Sequence, residues 1–161
     1  MSIRAVIDTS ALFGYQTRRD LQQAAQLDLF EGYWSPWIIA ELNRVLTWHW
    51  IEHVSTAGPT PDLSRQNQDR CGHAAKMMME ILLTTFKLVD PLPPYPPAWA
   101  ALDDEWDMPI WAAARKADAQ YVVSENTSDF PPADAVGRHI HDGIEYLRAS
   151  AFLALVNGPE E

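Results

Sequence analysis

Carboxylates recur where apolar runs end. Asp8 follows IRAVI at residues 3–7, and Glu41 sits inside SPWIIAELNRVL at 35–46. Asp104 and Asp107 precede MPIWAAARKADA at 108–119, while Glu125, Asn126 and Asp129 follow or close on YVVS at 121–124. A buried charge is costly unless paired or coordinated, so each acid either caps a helix or belongs to a site. Asp8 and Asp107 are reasonable caps. As a group, however, the acids cannot all ionise alone. Two like charges ~4 Å apart repel by roughly 4 kcal/mol at an effective dielectric near 20, and protonation or a bound cation must relieve this. Oxygen donors suit Mg²⁺ or Mn²⁺ and not zinc.

Strands and helices alternate around these groups. Residues 3–7 are short and β-branched, which predicts a strand. Asp8, Thr9 or Ser10 can cap the helix that DTSALF starts. Residues 20–31 are helical in composition, and 32–35 read as a turn and short strand. Ser35 as N-cap and Pro36 at the first helical position predict a helix over 35–53. Its buried stripe is Ile38, Leu42, Val45, Leu46 and His49, with Glu41 at the stripe's edge. A Gly/Pro loop at 54–62 leads to a second long helix over 63–85, whose stripe is Cys71, Ala74, Ala75, Met78, Ile81 and Leu82. A short strand at 86–90 is followed by PLPPYPP at 91–97, read as a stiff connection in preference to a proline-rich ligand. A small-residue helix over 108–119, a strand at 121–124, a last strand in GIEYLRA and a final helix capped by Ser150 complete the chain. Such alternation predicts an α/β fold with a largely parallel sheet in one domain, residues 1–161. Ligands collect at the carboxyl ends of such strands, where Asp8 and the 125–129 turn emerge.

The totals narrow the class. With 161 residues, 47% of them apolar, the chain suits one globular domain. Its single cysteine, Cys71, supplies neither an internal disulfide nor a zinc knuckle, and a reducing cytoplasm fits. No run is long enough for a signal peptide or membrane span, so no membrane association is expected. The net charge is −10, and residues 103–145 hold ten acids against Arg115, Lys116 and Arg138. A surface so acidic is a poor non-specific binder of nucleic acid, unless bound cations reverse the local charge.

Four pieces in order then resemble the PIN-domain nucleases, in particular VapC-type toxins and their relatives. AVIDTSAL looks like the opening strand and first aspartate. SPWIIAELNRVL looks like the glutamate helix. DDEWDMPIWAAARKADAQYVVSENTSDFP looks like the closing aspartates, helix, strand and polar turn, and GIEYLRASAFLALV resembles the last strand and helix. The resemblance implies a three-layer α/β/α sandwich and Mg²⁺- or Mn²⁺-dependent cleavage of single-stranded RNA, with an antitoxin protein as partner. It implies Asp8, Glu41 and Asp107 as catalytic acids and metal ligands, and Asp104 as a companion acid. The fourth position of the family falls on Asn126, an amide where an acid is expected, with Asp129 open between compensating for it and matching a structural D-F pair. Phosphodiester hydrolysis needs an activated water and charge neutralised on the phosphate. Ser124, Thr9 and Ser10 are candidates to hydrogen-bond an ion's water shell, the last two equally as caps. Arg44 either holds substrate phosphate or pairs with Glu41.

Three rival readings compete. Asn126 also fits an inactive PIN-like scaffold that binds RNA or protein. HWIEH at 49–53 matches the H-x-x-E-H pattern of some zinc peptidases, against a packed His49 and a helix-terminal His53; His139 and His141 are a weaker metal pair. Finally, Trp37, Trp48 and Trp50 lie off the Ile38 stripe. They mark either packing against the next helix or an interface, for a homodimer or an antitoxin.

Overall fold

The computed structural model describes residues 2–54, 58–92 and 108–158. Asp104 and Asp107, with most of the proline-dense segment, therefore lie outside the described residues. The elements are β1 (Arg4–Ile7), α1 (Thr9–Phe13), α2 (Tyr15–Gln26), β2 (Glu31–Trp34), α3 (Pro36–His49) with a π-helical turn (Trp50–Val54), α4 (Arg65–Leu83), β3 (Lys87–Leu88), α5 (Met108–Ala117), β4 (Tyr121–Val123), a 3-10 turn (Thr127–Asp129), β5 (Ile140–His141), β6 (Ile144–Leu147) and α6 (Ala149–Asn157).

The strands form one sheet in the order β3-β2-β1-β4-β6-β5, parallel except for β5 against β6. Successive strand residues point to opposite faces. Ala5, Val6 and Ile7 are all fully buried, as are Val122 and Val123, so helices cover the central strands on both faces, as parallel sheets require. On one side α2 packs with α6; elsewhere α3 packs with α4, and α5 lies on β1, β2 and β4. The β5–β6 connection is the pair Asp142-Gly143, both at positive φ (52° and 77°), as a two-residue hairpin of matching twist demands. Gly32 in β2 has a different reason. A Cβ there would lie 2.3 Å from the Phe86 ring, so only glycine lets that buried ring lie over the strand.

Several expectations shift. The first long helical segment is Tyr15–Gln26, not 20–31. The helix from Ser35 loses α-helical register at Trp50. In α4 Met79 is buried, whereas Ile81 is 51% exposed. The α5 stripe is broad, because Trp111 and Ala112 are buried with Ile110, Ala113, Ala114 and Ala117. Ser150 is not the cap of α6. Arg148 occupies that position without a side-chain cap, and the first amide, Ala149 N–H, donates to Glu125 Oε1 at 2.9 Å. Among the described residues no helix is long and apolar enough to cross a membrane.

Candidate active site

The register that pairs β1 with β4 places Ile7 opposite Val123, so the turns after both strands leave the sheet side by side. Asp8 N–H donates to Val123 O at 2.9 Å and seals the junction. Asp8 is the N-cap of α1, and its Oδ1 accepts from Thr9 N–H at 2.8 Å. Its Oδ2 accepts from the Ser10 and Ser124 hydroxyls, each at 2.9 Å. Those hydroxyls are themselves aimed. Ser10 Oγ accepts from Glu125 N–H at 2.9 Å and Ser124 Oγ from Asn126 N–H at 3.2 Å, and the two hydroxyl oxygens lie 3.0 Å from each other beside Asp8. Cap and site are thus one arrangement. A carboxylate has about four lone-pair positions; three are taken, and one remains for a cation or a water.

Short α1 is held from its far end by Arg18. This buried guanidinium donates from Nη1 to Leu12 O and Phe13 O, at 2.9 and 3.1 Å. Desolvation by burial lowers its pKa from the usual arginine value, partly offset by Tyr15. Nothing in the local sequence distinguishes Arg18 from the exposed Arg19 beside it.

A cleft of about 1030 Å³ opens over Asp8. Its walls include Thr9, Ser10, Phe13, Trp37, Glu41, Arg44, Ile110, Asn126 and Asp129. The expected residues inside the described regions therefore share this cleft or, as Ser124 does, hydrogen-bond to Asp8 beneath it. Thr9 is turned away from a ligand role: it is buried and its hydroxyl donates to Ile38 O, a long contact of 3.5 Å that ties α1 to α3. Asn126 donates from Nδ2 to Asp129 Oδ2, and Ser128 Oγ donates to Asn126 Oδ1 at 2.8 Å. Glu125, which emerges beside them, faces α6 and not the cleft. It accepts from Arg148 at 3.0 Å as well as from Ala149 N–H. Glu41 and Arg44 form no ion pair among the described residues, so the expected structural pair is absent and Arg44 stands exposed on the wall.

A PIN-domain family model matches residues 4–128, from the start of β1 into the 3-10 turn. The chain belongs to the PIN-domain family. No curated protein matches it significantly. Among solved structures, this PIN domain is similar to the crystal structure of VapBC2 from Rickettsia felis bound to a DNA fragment from their promoter. The identity is 13% and the TM-score 0.49, over 77% of this chain and 88% of that one.

The cleft of this PIN domain suits a hard cation by donor chemistry. Asp8, Glu41, Asn126 and Asp129 offer oxygen, and no thiol or imidazole lines it among the described residues. Still, no three His, Cys, Asp or Glu side chains among the described residues converge tightly enough to form a metal cluster by themselves. The same holds for HWIEH. His49 packs edge-on against Phe13, with centroids 5.3 Å apart, and Glu52 sits 3.7 Å from His53. His139 Nδ1 lies 2.7 Å from Pro131 O, while His141 packs near Trp111.

Proposed function

We propose that this PIN domain is a divalent-metal-dependent endoribonuclease that cleaves single-stranded RNA, acting as the toxin of a toxin–antitoxin pair. The observation that carries the reading is Asp8: an oriented carboxylate at the carboxyl edge of a parallel sheet, held by three donors, paired with no Lys or Arg side chain among the described residues, with an open cleft above. Asp8, Glu41 and Asp107 are the catalytic acids in this reading, and Asp104 and Asn126 join them as ligands. When bound, Mg²⁺ or Mn²⁺ supplies charge neutralisation on the phosphate and lowers the pKa of a water. Ser10 and Ser124 keep the Asp8 carboxylate from rotating, so its free lone pair stays turned to the cleft. Glu41 accepts a proton from, or orients, the attacking water. Arg44, three residues along α3 and without an ion pair among the described residues, meets a non-bridging phosphate oxygen with a charge-assisted hydrogen bond. Asp129 polarises the Asn126 amide from the far wall.

A scaffold that binds RNA without cutting is the second reading, favoured by one feature: Asn126 places an amide, already bonded to Asp129, where the family resemblance implies an acid. The two are separated by incubating the protein with end-labelled unstructured RNA over a Mn²⁺ titration. The nuclease reading expects metal-dependent cleavage that Asp8→Asn lowers by more than about 100-fold, since even outer partners of metal ligands are worth about 10- to 100-fold. The fold should survive, because Asn caps a helix about as well as Asp. Undiminished cleavage by the variant removes Asp8 from the mechanism. Retained RNA binding without cleavage by the parent establishes the scaffold.

A further inference from the structure

A second cleft, of about 710 Å³, lies on the outer side of α3 towards the start of α4, with Asn43, Thr47, Trp48 and Gln68 among its walls. Arg44 lines both this cleft and the one over Asp8. The two therefore adjoin across a single cation. They differ in charge: Asp8, Glu41 and Asp129 line the first, but no carboxylate lines the second among the described residues, and Arg44 is its sole charged wall. In a chain of net charge −10, a cleft lined by no acid, beside an arginine with no ion pair among the described residues, repels a polyanion less than the acid-lined cleft does.

The polar groups fit a nucleobase. Thr47 Oγ1 donates to Asn43 O at 2.7 Å, which turns its lone pairs outward as acceptors. Gln68 Nε2 donates to Leu63 O at 2.7 Å, which fixes the amide and leaves its oxygen to accept. The Asn43 amide has no hydrogen-bond partner among the described residues. Trp48 is 47% exposed and presents an aromatic surface, on which any unpaired base can stack. The volume lies within the range of small-ligand sites, about 300–1,000 Å³.

We propose that this second cleft is a subsite for an unpaired nucleotide flanking the scissile phosphate, so that a single strand runs from the acids across Arg44 to Trp48. The proposal rests on the ribonuclease reading and adds its substrate geometry. A base within a duplex has both faces stacked and cannot use Trp48, so the subsite selects single strands.

The test is fluorescence anisotropy with labelled oligouridylates of four and ten nucleotides, in the Asp8→Asn background that keeps the strands intact. The ten-mer should bind about 10-fold more tightly than the four-mer, within the range that stacking one base supplies. Trp48→Ala should erase that difference without changing four-mer affinity, and Trp48→Phe should restore most of it. Arg44→Ala should weaken both lengths. Equal ten-mer affinity in the Trp48→Ala protein and its parent overturns the subsite while leaving cleavage at Asp8 standing. Absence of binding to either length, with no RNA cleavage by the unsubstituted protein, overturns both readings. If Trp48→Ala instead leaves RNA binding intact and converts a dimer to a monomer in sedimentation, the face belongs to a second copy and the subsite is overturned.

Discussion

The two edges of the parallel sheet treat an acid in opposite ways. At the amino edge Glu31 opens β2 and accepts from Ser2 and Tyr33 hydroxyls, each at 2.7 Å, and from Lys87 Nζ at 2.9 Å; Arg4 lies 3.8 Å away. At the carboxyl edge Asp8 also meets three donors, but they are two hydroxyls and an amide. The number of hydrogen bonds is the same, and the difference is charge. Hydrogen bonds from Tyr33, Ser2 and Lys87, with the positive charge of Lys87, hold the Glu31 carboxyl at about 2. Raised in turn by Glu31, the Lys87 pKa moves up. Glu31 is thus neutralised within the chain. Asp8 is oriented by neutral donors, and no Lys or Arg side chain pairs with it among the described residues.

The comparison breaks most visibly at Ser124. Ser124→Ala removes one of the donors that orient Asp8, and Mn²⁺ affinity and cleavage rate should each fall about 10- to 100-fold. Calorimetric titration alongside initial rates measures both. Ser124 is buried, so thermal stability should also drop, whereas Glu31→Gln should alter neither metal affinity nor rate. Equal metal affinity in Ser124→Ala and parent would mean that the carboxyl edge is as structural as the amino edge.

Asn126→Asp sharpens the contrast from the other direction. It would set a second carboxylate against Asp129, where the amide now donates. Metal-free protein should melt at a lower temperature, because the pair repels. Adding Mn²⁺ should reverse that loss, with affinity about 10-fold above the parent. A variant indifferent to metal would show that the 126–129 turn does not face the ion.

The smallest effect belongs to the amino edge, whose partners are largely exposed and screened. The folded Glu31 pKa is lowered from 4.5 to about 2. The unfolded chain therefore binds more protons in that window, and the stabilisation, complete above 4.5, is lost as pH falls towards 2. Glu31→Gln should flatten the acid limb of the melting-temperature profile between those values and leave cleavage at neutral pH unchanged. A parent and variant with parallel acid limbs would refute the assigned pairing.

Local physics determined much of this protein. The β-branched run before Asp8, the Ser35-Pro36 start of α3 and the acid-bearing turn after β4 are each written in a few neighbouring residues, because capping, backbone restriction and burial periodicity act over one or two turns. Those signals predict an α/β fold with a largely parallel sheet, while the α/β/α sandwich and the nomination of Asp8 and Glu41 come from the resemblance of the ordered pieces to PIN domains. Direction and partnership were decided only by the tertiary structure. Glu125 and Asn126 are adjacent, yet the first caps α6 and the second faces the cleft, because the parallel pairing of β4 with β6 brings Ala149 N–H to one and the register of β1 brings Asp8 to the other. Arg44 is spaced to pair with Glu41 and does not. The bond from Ser124 to Asp8 joins residues 116 apart in the chain, and a contact of that span leaves no trace in local composition. A charge's role depends on what the neighbouring strand or helix presents to it, and that is a property of the assembled sheet.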